Sequence, residues 1–263
     1  MKEILLNLKK DNDGSAEILV EGRVVGNQYC FLLDTGSAKS SIKSDDYLST
    51  FPSVGTSIGN GVFSSINQDE IIVPSLEVGQ IKKNDFPMVR SEETLHTVKN
   101  LIGMDFLKDF RFHFYFDQQR VVVDEVESLA TYHELVLGKK YHPYVSVCFG
   151  PEKANAVWDT GAGMTVVDLG FIKNNPGHFQ EIGSSMGTDS TGTTRETPMF
   201  LMQNVSIGNN DFPAHRVVGV DLSHVNASTE IPMDLILGYT TLSKANWFFD
   251  FPKKKWSIIQ MIE

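Results

Sequence analysis

The chain has 263 residues, with 33 acidic against 23 basic side chains and a net charge of −10. That length can bury the core of one large or two small domains, and the acidic balance argues against a nucleic-acid partner, which selects a basic face. No apolar run approaches the roughly 20 residues that span a bilayer, and the first apolar stretch, 4–8, is shorter than a signal-peptide core and contains Asn7, so the expectation is a cytoplasmic protein with no membrane partner.

In chain order, 4–8 opens as an apolar strand. Segments 17–20, 23–25 and 28–33 are β-rich and broken at Glu21-Gly22 and Gly26-Asn27, pairs that suit hairpin turns. The third runs straight into Asp34-Thr35-Gly36-Ser37. Further on, Gly55-Thr56-Ser57-Ile58-Gly59 passes into Asn60-Gly61, a small, polar stretch that reads as a mobile hairpin able to fold over a bound peptide. A short helix is predicted over 103–108, and the apolar strand 121–126 closes the first half.

The same order then begins again. Segment 135–137 opens it, 144–149 and 154–158 flank a turn at 150–153, and the returning strand runs into Asp159-Thr160-Gly161-Ala162. Gly183-Ser184-Ser185-Met186-Gly187 passes into Thr188 and further polar residues as a second hairpin; a short helix is predicted over 238–244, and 257–262 ends the chain as a strand. Asn84-Asp85-Phe86-Pro87 returns unchanged as Asn210-Asp211-Phe212-Pro213, and Leu101-Ile102-Gly103 returns as Ile236-Leu237-Gly238. These blocks keep one order at a near-constant offset of about 130 residues, the mark of an internal repeat. The expectation is an all-β chain with minor helix, in two homologous lobes, 1–127 and 128–263, joined near 125–131. The four terminal strands are expected to pair into one sheet under both.

Each half thus offers one aspartate behind an apolar strand, and two aspartates brought together make a specific chemistry. Like charges a few ångströms apart raise one pKa strongly, so one carboxyl keeps its proton while the other is ionised. An ionised and a protonated acid side by side can activate a water and protonate a carbonyl oxygen, as amide hydrolysis needs. Gly36 and Gly161 let backbone approach the carboxyls. Thr35 and Thr160 can brace the opposite loop. Ser37 can donate to the neighbouring carboxylate where Ala162 cannot, which predicts Asp34 in the ionised role and Asp159 holding the proton.

Phe31-Leu32-Leu33-Asp34-Thr35-Gly36-Ser37 with Leu101-Ile102-Gly103-Met104-Asp105-Phe106-Leu107, and Val157-Trp158-Asp159-Thr160-Gly161-Ala162 with Leu235-Ile236-Leu237-Gly238, resemble the retropepsin-like aspartic proteases over nearly the whole chain. The resemblance implies two fused retropepsin-like β-barrel lobes related by a pseudo-two-fold axis. It also implies an aspartic endopeptidase with Asp34 and Asp159 as the catalytic pair and Thr35, Gly36, Ser37, Thr160, Gly161 and Ala162 as supporting loop residues. Ile58, Gly59, Asn60, Gly61, Met186, Gly187 and Thr188 become flap residues against a peptide or protein substrate. The shared proton is the known behaviour of aspartic proteases.

Retropepsins are usually homodimers; this chain carries both halves and is expected to act as a monomer. It lacks the flap tyrosine of pepsins between Gly55 and Ser65, and it has Tyr239-Thr240 where the first half has Met104-Asp105, so a polar contact of Asp105 is expected to have no counterpart. No cofactor or metal is expected: the seven histidines form no His-Glu-x-x-His, and Cys30 and Cys148 have neither zinc spacing nor equivalent repeat positions. The rival reading is a catalytically silent module of the same fold that binds a peptide or protein. Completeness of both tripeptides favours the enzyme.

Overall fold

The structure, a computed structural model, describes residues 2–92, 98–125, 129 and 131–262. The expected lobe boundary at 127/128 lies outside the described residues, as does Val126. The fold is all-β with a few one- or two-turn helices. Among the described residues the strands form three sheets, of eight, ten and six members.

The eight-stranded sheet is built from the first half and the ten-stranded sheet from the second, and their central strands repeat one plan. In the first half, Asn27–Leu33 lies parallel to Leu101–Ile102, which is antiparallel to Ser41–Lys43, which in turn lies parallel to Ile81–Ser91. In the second, Glu152–Trp158, Leu235–Leu237, Val166–Asp168 and His215–Val220 follow with the same senses. A long hairpin extends each sheet: Gly55–Asn60 with Ser65–Val78, and Phe179–Thr188 with Thr194–Met202. The sequence repeat is therefore also a repeat of strand order.

The six-stranded sheet draws on both halves. Lys2–Leu5, Arg120–Val123 and Arg111–Tyr115 meet Ala245–Asp250, Lys255–Met261 and His133–Glu134 in that order. At the junction Phe112 stands opposite Phe249 and Phe114 opposite Trp247. Trp158, fully buried, has its ring centroid 4.7 Å from that of Phe114 and 4.4 Å from that of Phe249. Aromatic pairs at such spacings add about 0.5–1.5 kcal/mol each beyond the area they bury. Trp158 immediately precedes Asp159, so this cluster anchors the strand that carries the second aspartate.

Several expected boundaries move, for tertiary reasons. Segment 4–8 is two strands, Lys2–Leu5 in the six-stranded sheet and Asn7–Lys10 in the eight-stranded one; Leu6 between them donates its N–H to Gln119 O at 2.8 Å. Glu21-Gly22 is not a turn. Ala16–Val24 runs unbroken, and Gly22 lies within it because the Phe31 ring packs over its Cα, where a Cβ would come within 2.9 Å of the ring. The turn falls at Val25-Gly26, both at positive φ. Of the four terminal strands expected under both halves, His133–Glu134 takes the place of 135–137, since Val136–Leu137 pairs with Pro143–Phe149 instead. The predicted helices are single turns, Met104–Leu107 and Tyr239–Leu242, each begun at a glycine. Leu169–Asn174, capped by the Asp168 carboxylate accepting from Phe171 N–H, was not expected. Among the described residues no helix is long and apolar enough to cross a membrane.

Candidate active site

The two Asp-Thr-Gly loops meet where the two halves face each other. Each aspartate is hung from the strand beside it: Asp34 N–H donates to Ile102 O at 2.9 Å, and Asp159 N–H to Leu237 O at 3.0 Å. The threonines then cross between the loops. Thr35 N–H donates to Thr160 Oγ1 at 3.1 Å, Thr160 N–H donates to Thr35 Oγ1 at 3.0 Å, and Thr35 Oγ1 donates to Trp158 O at 2.7 Å. Both side chains are buried, so these polar groups have no water to fall back on.

The glycines are required by the opposite aspartate. A Cβ on Gly36 would sit 2.7 Å from Asp159 Oδ1, and one on Gly161 would sit 2.6 and 2.8 Å from the two carboxyl oxygens of Asp34. Those separations are far inside the non-bonded contact distance of carbon and oxygen, so only glycine allows the approach without something shifting. The two carboxyls are close enough for the charge of one to act on the other, each lying against the glycine of the opposite loop.

Burial, then the negative charge of Asp159 and the hydrogen bond to it, hold Asp34 well above the ordinary carboxylate range, against backbone N–H groups of Ser37 and Gly36 that pull the other way. Burial also raises Asp159, but more donors oppose it. Gly161 N–H reaches its Oδ1 at 2.8 Å and Gly36 N–H at 3.1 Å, with Ala162 and Asp34 adding to them. Hydrogen bonds to the charged form favour that form. These donors favour the charge on Asp159 and the proton on Asp34, whereas the sequence expectation placed them the other way round. That expectation relied on the Ser37 hydroxyl, which instead donates to Lys39 O at 2.9 Å.

A second layer beneath the loops also repeats. Ser40 N–H donates to the Asp105 carboxylate at 2.9 Å, and Gly103 N–H donates to Ser40 Oγ at 3.0 Å. In the other half Thr165 N–H donates to Thr240 Oγ1 at 3.0 Å, and Gly238 N–H to Thr165 Oγ1 at 3.0 Å. The contact of Asp105 thus has a counterpart after all, a hydroxyl standing in for a carboxylate. Sequence reading missed Ser40 and Thr165, although each lies the same distance past its aspartate and each carries a hydroxyl. His142 is also new: it is buried and is pushed down to about 4 by burial and then the charge of Lys140, so it is neutral near pH 7.

Both expected hairpins are present, but their candidate residues divide. Ile58 and Met186 occupy matching places and are each 66% exposed. Asn60 Oδ1 accepts from Ser65 Oγ, and Thr188 bonds Thr194, each within its own hairpin. Gly59 lies against Gln68 of its own hairpin, and Gly187 has open space above it. Gly61 alone among them touches the other hairpin, packed against Asp189. The hydrogen bonds of the tip side chains between hairpins join 63–64 to 189–193, just beyond the residues the repeat singled out.

A scan against protein-family models finds no match to this chain, and a search of curated proteins finds none either.

Proposed function

We propose that the protein is an aspartic endopeptidase, built as two fused retropepsin-like lobes, 1–127 and 128–263, related by a pseudo-two-fold axis and acting as a monomer on a peptide or protein. The observation that carries this reading is the meeting of two carboxyls from the two halves, each packed against the other half's glycine and both held by crossed threonines.

With the proton on Asp34 and the charge on Asp159, the roles divide. Asp159 takes a proton from a water held between the acids as that water attacks the scissile carbonyl carbon, while Asp34 donates its proton to the carbonyl oxygen. The resulting gem-diol collapses as Asp159 gives its proton to the nitrogen, Asp34 takes one back from a diol hydroxyl, and the carbon–nitrogen bond breaks to leave a carboxylic acid and an amine. Asp34 and Asp159 are the catalytic residues; Thr35, Thr160, Gly36 and Gly161 fix their separation. The test is incubation with mixed peptides at about pH 4 to 7, with and without a statine-type inhibitor, beside Asp34→Asn. Cleavage blocked by the inhibitor and lost in the variant supports the enzyme. Cleavage that persists in the variant overturns the mechanism, and no cleavage at any pH leaves the peptide-binding module as the reading.

A further inference from the structure

The two hairpin tips do not merely approach. Phe63 N–H donates to Asp189 Oδ2 at 2.8 Å, and the other oxygen of that carboxylate accepts from Thr191 N–H at 3.0 Å, Thr193 N–H at 3.1 Å and Thr191 Oγ1 at 2.6 Å. Asp189 thereby stiffens its own tip and grips the opposite one. Ser64 Oγ adds hydroxyl contacts to Thr191 at 2.6 Å and Thr193 at 2.7 Å, and the Arg195 guanidinium lies 5.3 Å from the centre of the Phe63 ring.

The grip has a direction. Val62 and Phe63 pack against an apolar cluster of the second half that includes Val220, Leu222 and Ile236, with Ala162 of the second aspartate loop at its margin. The second tip, 189–193, carries no large apolar side chain. Asp34 is 7% exposed and Asp159 is partly exposed. Two surface cavities, of about 260 and 300 Å³, are lined by other residues, among them Cys30 and Lys43 for one and His133 and Asn210 for the other, and neither touches the aspartates.

We propose that Asp189 latches the hairpin tips together and that the resting molecule is self-occluded, with Phe63 seated where a bulky apolar side chain of a peptide sits once the latch opens. This rests on the reading of the aspartate pair as the catalytic centre. When the competent form is a minor one, apparent affinity falls by its fraction. Removing a hydrogen bond to a charged group shifts such an equilibrium by about 10- to 100-fold, so Asp189→Ala opens the tips by about that factor.

The direct readout is a distance between spin labels at Ile58→Cys and Met186→Cys, in a Cys30→Ser, Cys148→Ser background. One short distance is expected with Asp189 present, and a longer one becomes major with Asp189→Ala. In unlabelled protein an internally quenched peptide library bearing Phe or Leu beside the cut should give a KM lower by about tenfold or more, with kcat within about twofold. Ser64→Ala, a change at the half-buried tip outside the core clusters, moves both readouts the same way by about fivefold. An unchanged distance distribution overturns the latch, and longer distances with an unchanged KM overturn the occlusion. If the parent protein cleaves nothing, the protease reading fails by itself; the distances and the Kd of a statine-type peptide, expected to tighten in Asp189→Ala, then decide the latch.

Discussion

Thr35→Val and Thr160→Val are near-isosteric, yet the crossed network makes them unequal. Thr35 Oγ1 donates to Trp158 O and accepts from Thr160 N–H, so valine there strips the partners from two buried backbone groups. Thr160 Oγ1 accepts from Thr35 N–H, and its separation from Thr35 Oγ1 is 3.5 Å, too long for a useful hydroxyl bond. Valine at 160 therefore orphans one group. At about 1–3 kcal/mol for each unsatisfied buried group, Thr35→Val should cost about 2–5 kcal/mol and Thr160→Val about half as much. Urea unfolding measures both, as shifts in midpoint at constant m. Equal losses, or a Thr35→Val loss under about 1 kcal/mol, would refute the assignment of the bonds and with it the claim that the first threonine braces both loops.

Other consequences follow from the same geometry. Ser37→Ala should leave both limbs of the pH–rate profile in place, because its hydroxyl points to Lys39 O and the backbone N–H that reaches Asp34 is retained; a moved acidic limb would restore the hydroxyl to the dyad. Gly161→Ala should cut kcat by at least about 100-fold, since a displacement of about 1 Å in a catalytic group costs that much, while circular dichroism reports whether the sheets persist. Asp34 has a folded pKa above its unfolded one, so its contribution to stability is fully present below the ordinary carboxylate pKa and is lost as pH rises through the raised value. Asp34→Asn lacks that titration, so its Tm relative to the parent should climb from about pH 4 towards neutrality; a difference flat with pH would contradict the raised value.

What could be read from the sequence was what short patterns encode. The all-β class, the hairpin entering each aspartate and the repeat of the two halves depend on alternation, turn pairs and block order, and the strand order of the two sheets follows them. What could not be read depends on contacts between distant segments. Gly22 looks like a turn residue until the Phe31 ring is placed over it, and 4–8 looks continuous until Leu6 is tied to Gln119. The backbone donors to Asp159 could not be read from the sequence either, because their number depends on how the loops curve. The pairing of Asp189 with Phe63 joins residues in different halves, and no local pattern marks it.

Hydrolysis by this pair requires one proton divided between the two acids. Carboxyl carbon NMR titration of the aspartates, with Asp34→Asn and Asp159→Asn to assign the signals, measures that directly. Asp34 should remain protonated well above the ordinary range while Asp159 carries charge, and removing Asp159 should lower the Asp34 value. Two carboxyls that titrate independently near pH 4 would contradict it.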